Sequence, residues 1–383
     1  MNIRRSISKR FNRIFGKRVK ARVSNAIINL YKTDYSKHVL ISYITAPFYS
    51  ENGFTHQNYL TAHIIAESFS AMGYNVDVFD YKDPIEKRFD KYDVIFGFGE
   101  GLERSFYNSN RNIPRIYFVT GAHHYLHNAM SLRSVKDFYE LSGLWLANEA
   151  HVLSDCSYYS LFNADFAIIL ANGFVLEDFQ SRYDHKVYPL NNNIINAFSE
   201  FKPKEITSRN HNFLYLSGAK QITKGLHFVL ELARIRKDLN FYIVVPVINE
   251  VLEECYKDVF QENVILHKNI KMNSDEMKQI VENCSYSLAP SYVDGMPGGT
   301  IEPMSAGLIP IVSKYCGFSR ESFIFEMETL SVEGLHDKIN EVLSLDDQTY
   351  KNYSDAVKSY ACVRFSAAEI KKEFMGLLKA KNL

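Results

Sequence analysis

The chain has 383 residues, is 46% hydrophobic, and balances 44 basic against 44 acidic residues, enough for two domains of ordinary size, each with its own core. No apolar run reaches the roughly 18 residues that a membrane span needs, and no apolar stretch with a small-residue cleavage site marks a secretory signal. The five cysteines, Cys156, Cys255, Cys284, Cys316 and Cys362, form no CxxC pair, which argues against a disulfide framework or a cysteine zinc site and for a reducing cytoplasm.

The neutral total hides an asymmetry. Residues 1–33 hold ten basic residues (Arg4, Arg5, Lys9, Arg10, Arg13, Lys17, Arg18, Lys20, Arg22 and Lys32) and no acid, leaving 34 basic against 44 acidic residues in the rest. Ile7, Phe11, Ile14, Phe15 and Val19 recur there at helical spacing. A basic amphipathic helix is therefore expected within this segment, either packed on the first domain or laid on an anionic membrane surface through residues 1–30, where each basic residue contributes about 1 kcal/mol. The acidic main body shows no separate basic groove, which argues against nucleic acid.

Beyond it, short β-rich apolar runs alternate with helical patterns. Strands are predicted at 38–44, 75–79, 92–96, 115–119, 166–170 and 186–190, then at 213–217, 241–245, 264–267, 286–289 and 310–313. Leu60, Ile64 and Phe69 mark a helix ending at Gly73; Leu226, Val229, Leu230 and Ala233 mark another. A third spans 274–284, with Asn273 and Glu276 in a capping arrangement. Continuous apolar strands separated by helices predict parallel sheets covered on both faces. The polar stretch 191–212 reads as an interdomain connection. The expected architecture is α/β, two Rossmann-like doubly wound domains facing a cleft: a basic segment over 1–33, a first domain over 34–200, a second over 201–345, and helices over 346–383 that cross back. Ligands of such sheets bind at the carboxyl ends of the strands.

The segment LAPSYVDGMPGGTIEPMSAGLIPI, residues 288–311, is the richest in chemistry. A strand runs into a glycine-rich turn, then a helix opening at Gly299 and Thr300. Free amides and the helix dipole at such a turn hold phosphate. Glu302, one turn in, can accept from ligand hydroxyls, and Asp294 precedes it by eight positions. Gly295, Gly298 and Gly299 together suit close approach of backbone to a ligand. The opening of the second domain, FLYLSGAKQITKGLHFVLEL, places Gly218 after a strand and Lys220 and Lys224 around the following loop. Lysine charge beside helix amides would hold a diphosphate. Phosphate and hydroxyl recognition together point to a sugar nucleotide.

In the first half, His123, His124 and His127 follow the 115–119 strand on the expected cleft side. His123 and His127 have i, i+4 spacing, but no acidic third ligand accompanies them, so no metal is expected. His123 and His124 are the candidate contacts to the reacting groups. Gly97, Gly99 and Gly101 mimic a dinucleotide loop but fail the GxGxxG pattern at Leu102. Gly53 is a candidate for the acceptor-side lining.

With these residues assembled, the chain resembles the GT-B retaining glycosyltransferases of the large bacterial glycan and lipopolysaccharide group, most strongly over 213–318. The family carries an acid, seven residues, then Glu, matched here by Asp294 and Glu302, followed by the Ala306-Gly307 helix end and the 309–312 strand. The resemblance implies that Glu302 binds ribose, that Asp294 contacts the donor sugar, and that Lys224 and the amides of Gly298, Gly299 and Thr300 hold the diphosphate. It further implies retention of configuration, no obligatory metal and no cofactor, the nucleoside diphosphate sugar being the donor substrate. The acceptor is expected to be a glycan or lipid-linked glycan at the cytoplasmic face of the membrane. Residues 360–365 resemble the family's crossing to the last helix. Two positions depart: Asp294 stands where the family has Glu, and Ala219 where it has arginine, with Lys220 adjacent. These departures leave open a non-catalytic glycan-binding or activating partner; a sugar-nucleotide epimerase on the same fold is a second alternative.

Overall fold

The computed structural model describes residues 26–49, 56–83, 89–108, 112–153 and 157–383. The basic stretch up to residue 25 and Gly53 lie outside the described residues. The end of the basic segment packs on the first domain: Ile27 bridges Val78 antiparallel, and the Asn29 amide donates to Asp77 at 2.8 Å.

The first domain runs β1 (Lys37–Tyr43), α1 (Gln57–Ala71), β2 (Tyr74–Asp80), β3 (Val94–Gly97), α2 (Glu100–Ser105), β4 (Arg115–Val119), α3 (His124–Ser142), α4 (Tyr158–Asn163), β5 (Phe166–Ile169), α5 (Gly173–Ser181) and β6 (Lys186–Pro189). The second runs β7 (Asn212–Leu216), α6 (Leu226–Ile235), β8 (Asn240–Val245), α7 (Glu250–Cys255), β9 (Val264–Lys268), α8 (Asp275–Glu282), β10 (Tyr286–Ala289), α9 (Gly298–Met304), β11 (Ile309–Ser313), β12 (Phe325–Met327) and α10 (Val332–Leu343). Two further helices, α11 (Asp347–Arg364) and α12 (Ala367–Lys379), close the chain.

Each domain builds one parallel six-stranded sheet, ordered β2-β1-β3-β4-β5-β6 and β12-β11-β10-β7-β8-β9. The predicted strands are all present. The twelfth, β12, went unpredicted because three residues carry too little periodicity to be read. The predicted cap of the 274–284 helix is corrected by one residue. Ser274, rather than Asn273, caps α8 by accepting from the Met277 amide at 3.2 Å, as its short hydroxyl suits.

In the second sheet the direction of winding reverses between β7 and β10. A crevice opens at the carboxyl end of the strands at such a point. The loop after β7 and the turn after β10 therefore meet there. Met277, Ile280 and Val281 of α8 bury their stripe against the sheet, as do Leu226, Val229, Leu230 and Ala233 of α6. One apolar cluster continues from the first sheet through Leu126, Met130 and Phe138 of α3 into the second domain. The chain returns to the first domain after α11: Ile370, Phe374 and Leu378 of α12 enter the first domain's core beside Phe69 and Phe96.

Candidate functional site

A cleft of about 730 Å³ lies over the second sheet's winding reversal. Its second-domain wall holds Gly218, Ala219, Lys220, Lys224 and the turn from Asp294 to Thr300; Gln57, Tyr81 and Phe98 line the opposite wall. Both cleft turns contain a non-glycine residue in the left-handed region, Lys220 at φ 65° and Met296 at φ 46°. Such backbone persists only where surrounding contacts hold it. Met296 is held by its backbone N–H, which donates to the Cys316 carbonyl at 2.8 Å, and by Asn192, whose Nδ2 donates to the Met296 carbonyl at 2.9 Å.

The structure joins Lys224 to Asp294. The ammonium donates to Asp294 Oδ2 at 2.5 Å and to the Val293 carbonyl at 3.3 Å, while Asp294 Oδ1 accepts from the Gly295 amide at 3.0 Å. A lysine has three N–H donors; two are spent, and the third is available to an anion in the cleft. Lys220 lines the cleft too and donates to the Asn148 carbonyl of the first domain.

The glycines act differently from expectation. A Cβ on Gly299 would meet the Leu216 carbonyl oxygen at 2.1 Å, one on Gly298 the Gln57 carboxamide at 2.2 Å, and one on Gly295 the Thr120 carbonyl oxygen at 2.7 Å. All three permit protein to approach protein, across the sheet end or across the cleft. Of these four glycines only Gly218 faces open space, so a ligand can come close to its backbone. The set of amide donors is also smaller: Thr300 N–H bonds the Pro297 carbonyl at 2.9 Å inside α9. The Gly298 and Gly299 amides have no protein acceptor among the described residues.

Glu302 is fully buried and does not line the cleft. Its Oε1 accepts from Gln57 Nε2 at 3.1 Å and from the Ile195 amide, and its Oε2 from the Ala197 amide at 3.4 Å. Burial raises its pKa to about 6 against the lowering by these donors. The carboxylate is turned to the segment joining the domains and away from the cleft.

The histidine assignment changes. His123 is the N-cap of α3, its Nδ1 accepting from the Tyr125 amide at 3.2 Å, with its ring against Phe179. It lines neither part of the cleft. His124 lines a smaller arm of about 280 Å³, with His127, His151, Ser157 and Tyr117, and bonds Ser157 Oγ at 2.9 Å. Lys224 and Asp294 stand where arm and main cleft join. His127 Nε2 donates to the His151 carbonyl at 2.8 Å, which leaves Nδ1 as its acceptor. Burial lowers His127 to about 4, and lowers His151 together with the positive charge of Lys224 and Lys220. Both imidazoles are thus neutral at pH 7. His151, which faces Lys224 and Asp294, sits in a loop with no periodic or motif signal, so sequence offered no route to it. Gln57, at the start of α1, was missed because the helical period marks only the buried apolar face and does not reveal a polar residue whose partners, Gly298 and Glu302, lie far along the chain.

Two parallel six-stranded domains with the cleft between them define the GT-B class of fold. Similar solved structures include sucrose-phosphate synthase from Thermosynechococcus elongatus (13% identity over 90% of this chain and 98% of that one, TM-score 0.60). HepE from Anabaena in complex with UDP is comparable (14%, 90% and 100%, 0.59). So is WaaG, a glycosyltransferase involved in lipopolysaccharide biosynthesis (14%, 88% and 98%, 0.54). At these identities the likeness shows the fold. Residues 198–360 match the family model for Glycosyl transferases group 1; no curated protein matches the chain. Domain match and fold together support a glycosyltransferase.

Proposed function

We propose that the protein transfers a sugar from a nucleoside diphosphate sugar to a hydroxyl of a glycan or lipid-linked glycan, with retention of configuration and without an obligatory metal or cofactor. The observation that carries this reading is the meeting of Lys224 with the unbonded Gly298 and Gly299 amides at one cleft wall. Glycosyl transfer builds positive character at the anomeric carbon while the diphosphate leaves with negative charge. Fixed donors aimed at that charge lower the barrier most, because they need no reorganisation. The third N–H of Lys224 and the two amides supply such donors. Asp294, beside Lys224, is the carboxylate able to face the developing positive charge. His151 and His127, neutral and within the smaller arm, can hydrogen-bond sugar hydroxyls. Closure of the first domain over the cleft would exclude water and suppress donor hydrolysis.

Calorimetric titration with UDP, GDP and ADP, then incubation of the tight binder's sugars with glycan acceptors, tests the reading. Transfer that survives EDTA and preserves the anomeric configuration by NMR is expected. Tight nucleotide binding without turnover of any donor would favour a binding or activating partner, and turnover of donor without acceptor an epimerase. We place the reaction in bacterial surface polysaccharide or lipopolysaccharide assembly, on the cytoplasmic face of the membrane, with residues 1–30 as the attachment. No helix among the described residues is long and apolar enough to cross a membrane. Deleting residues 1–30 should abolish binding to anionic liposomes and leave nucleotide binding intact; liposome binding that persists would sink the attachment.

A further inference from the structure

Glu302 lies one helical turn beyond Gly298 and Gly299, yet its bonds all lead elsewhere. Gln57 reaches it from α1 of the first domain, and the Ile195 and Ala197 amides reach it from the segment joining the domains. That segment is tied to both sides along its length. Asn193 accepts from Thr61 Oγ1 at 2.6 Å and donates to the Gln57 carbonyl at 3.3 Å, both in α1, while Asn192 donates to the Met296 carbonyl in the second domain. Gln57 also presses on the Gly298–Gly299 turn itself, since its carboxamide fills the space a side chain at 298 would need. A buried carboxylate must keep its donors, because leaving a charge unpaired away from water is costly. The domains therefore cannot change their angle without disturbing either these three bonds or α9.

We propose that Glu302 anchors the interdomain hinge through the 195 and 197 amides, with Gln57 as the positioning residue that holds the carboxylate from the first domain. One buried group then sets both the domain angle and the shape of the Gly298–Gly299 turn. Only the consequence for donor binding rests on the proposed function; the anchor itself is a property of the chain without ligand.

The test is amide hydrogen exchange on the full-length chain without ligand, comparing wild type with Glu302→Gln, Gln57→Met and Gln57→Ala. Methionine keeps the volume of Gln57 and removes its donor. Glu302→Gln should speed exchange at Ile195 and Ala197 at least about tenfold, the effect of weakening a charge-assisted hydrogen bond, while strands β7 to β11 keep their wild-type protection. Gln57→Met should match Gln57→Ala in the same direction. Wild-type exchange at 195 and 197 in Glu302→Gln, with the strands protected, would overturn the anchor. Should that variant fail to fold, Gln57→Met decides: faster exchange at 195 and 197 supports the anchor, and wild-type rates overturn it. If the protein turns over no sugar donor but shows the expected exchange, the transfer reading fails and the hinge assignment stands.

Discussion

At the scale of single residues, the proposed function assigns the chemistry to the Lys224–Asp294 pair. Both side chains are half-buried, and the pair shares one cleft wall with the free amides of Gly298 and Gly299. Removing the ammonium should cost UDP affinity about tenfold or more, the worth of a charge-assisted hydrogen bond to phosphate; titration of Lys224→Ala with UDP measures it, and wild-type affinity would remove Lys224 from the site. Asp294→Asn works the other way. It loosens the ammonium from its partner, so UDP affinity should hold or rise while sugar transfer falls, a split seen by comparing titration with turnover. The buried histidines set the acid response. Burial lowers His127 to about 4 and His227 to about 3, from 6.5. The unfolded chain binds those protons more readily, so their contribution to stability is complete above about pH 6.5 and is lost as the pH falls. Glu302, raised from 4.5 to about 6, opposes them: its stabilisation is complete below about pH 4.5 and is lost as the pH rises through 6. Glu302→Gln removes that opposition. The rise of stability with pH between about 4.5 and 6 should be steeper in the variant, as followed by urea unfolding across that range; an unchanged slope would mean that the folded carboxylate titrates normally.

Among the elements, the two cleft turns differ in what their glycines are for. Gly299 is forced by the Leu216 carbonyl of β7, at 2.1 Å from a would-be Cβ. Overpacking there should destabilise Gly299→Ala by ~1–3 kcal/mol, read from denaturant midpoints. Gly218 meets nothing within 4 Å and is not in the left-handed region. Gly218→Ala should leave stability within about 0.5 kcal/mol of wild type yet weaken UDP binding, because the new methyl occupies ligand space. Equal stability losses in both variants would show that the cleft turns are packed alike. The same elements show what a sequence exposes. The strand-turn-helix after β10 was legible from an apolar run, Asp-Gly and a helix opening, since turn chemistry is local. The destination of the glycines was not, because Thr120 and Gln57 are far away in the chain.

For the whole molecule, α12 is the strap that returns the chain to the first domain. Phe374 is fully buried, with Phe69 and Phe96 rings 5.7 and 5.4 Å away. Phe374→Ala should cost ~3–5 kcal/mol, measured as the loss of unfolding free energy in urea; a loss below about 1 kcal/mol would mean that α12 docks without supporting the core. Residues 360–365, which resembled the family's crossing, belong mostly to α11, whose Tyr350, Val357 and Ala361 are buried with the second domain. Period and turn residues alone determined the alternation of strand and helix, and with it two parallel sheets and a cleft at their carboxyl ends. Those signals work within a few residues, where backbone geometry decides. The direction of a side chain depends on partners that only the fold supplies. Glu302 reads in sequence as a ligand group at a helix start, but Gln57, 245 positions earlier, and the hinge amides turn it inward. His123 reads as a cleft residue, but capping α3 takes it out, and His151 comes in from a loop without pattern. Tertiary structure decided these because burial and hydrogen-bond satisfaction are settled between distant segments, after local preferences have done their part.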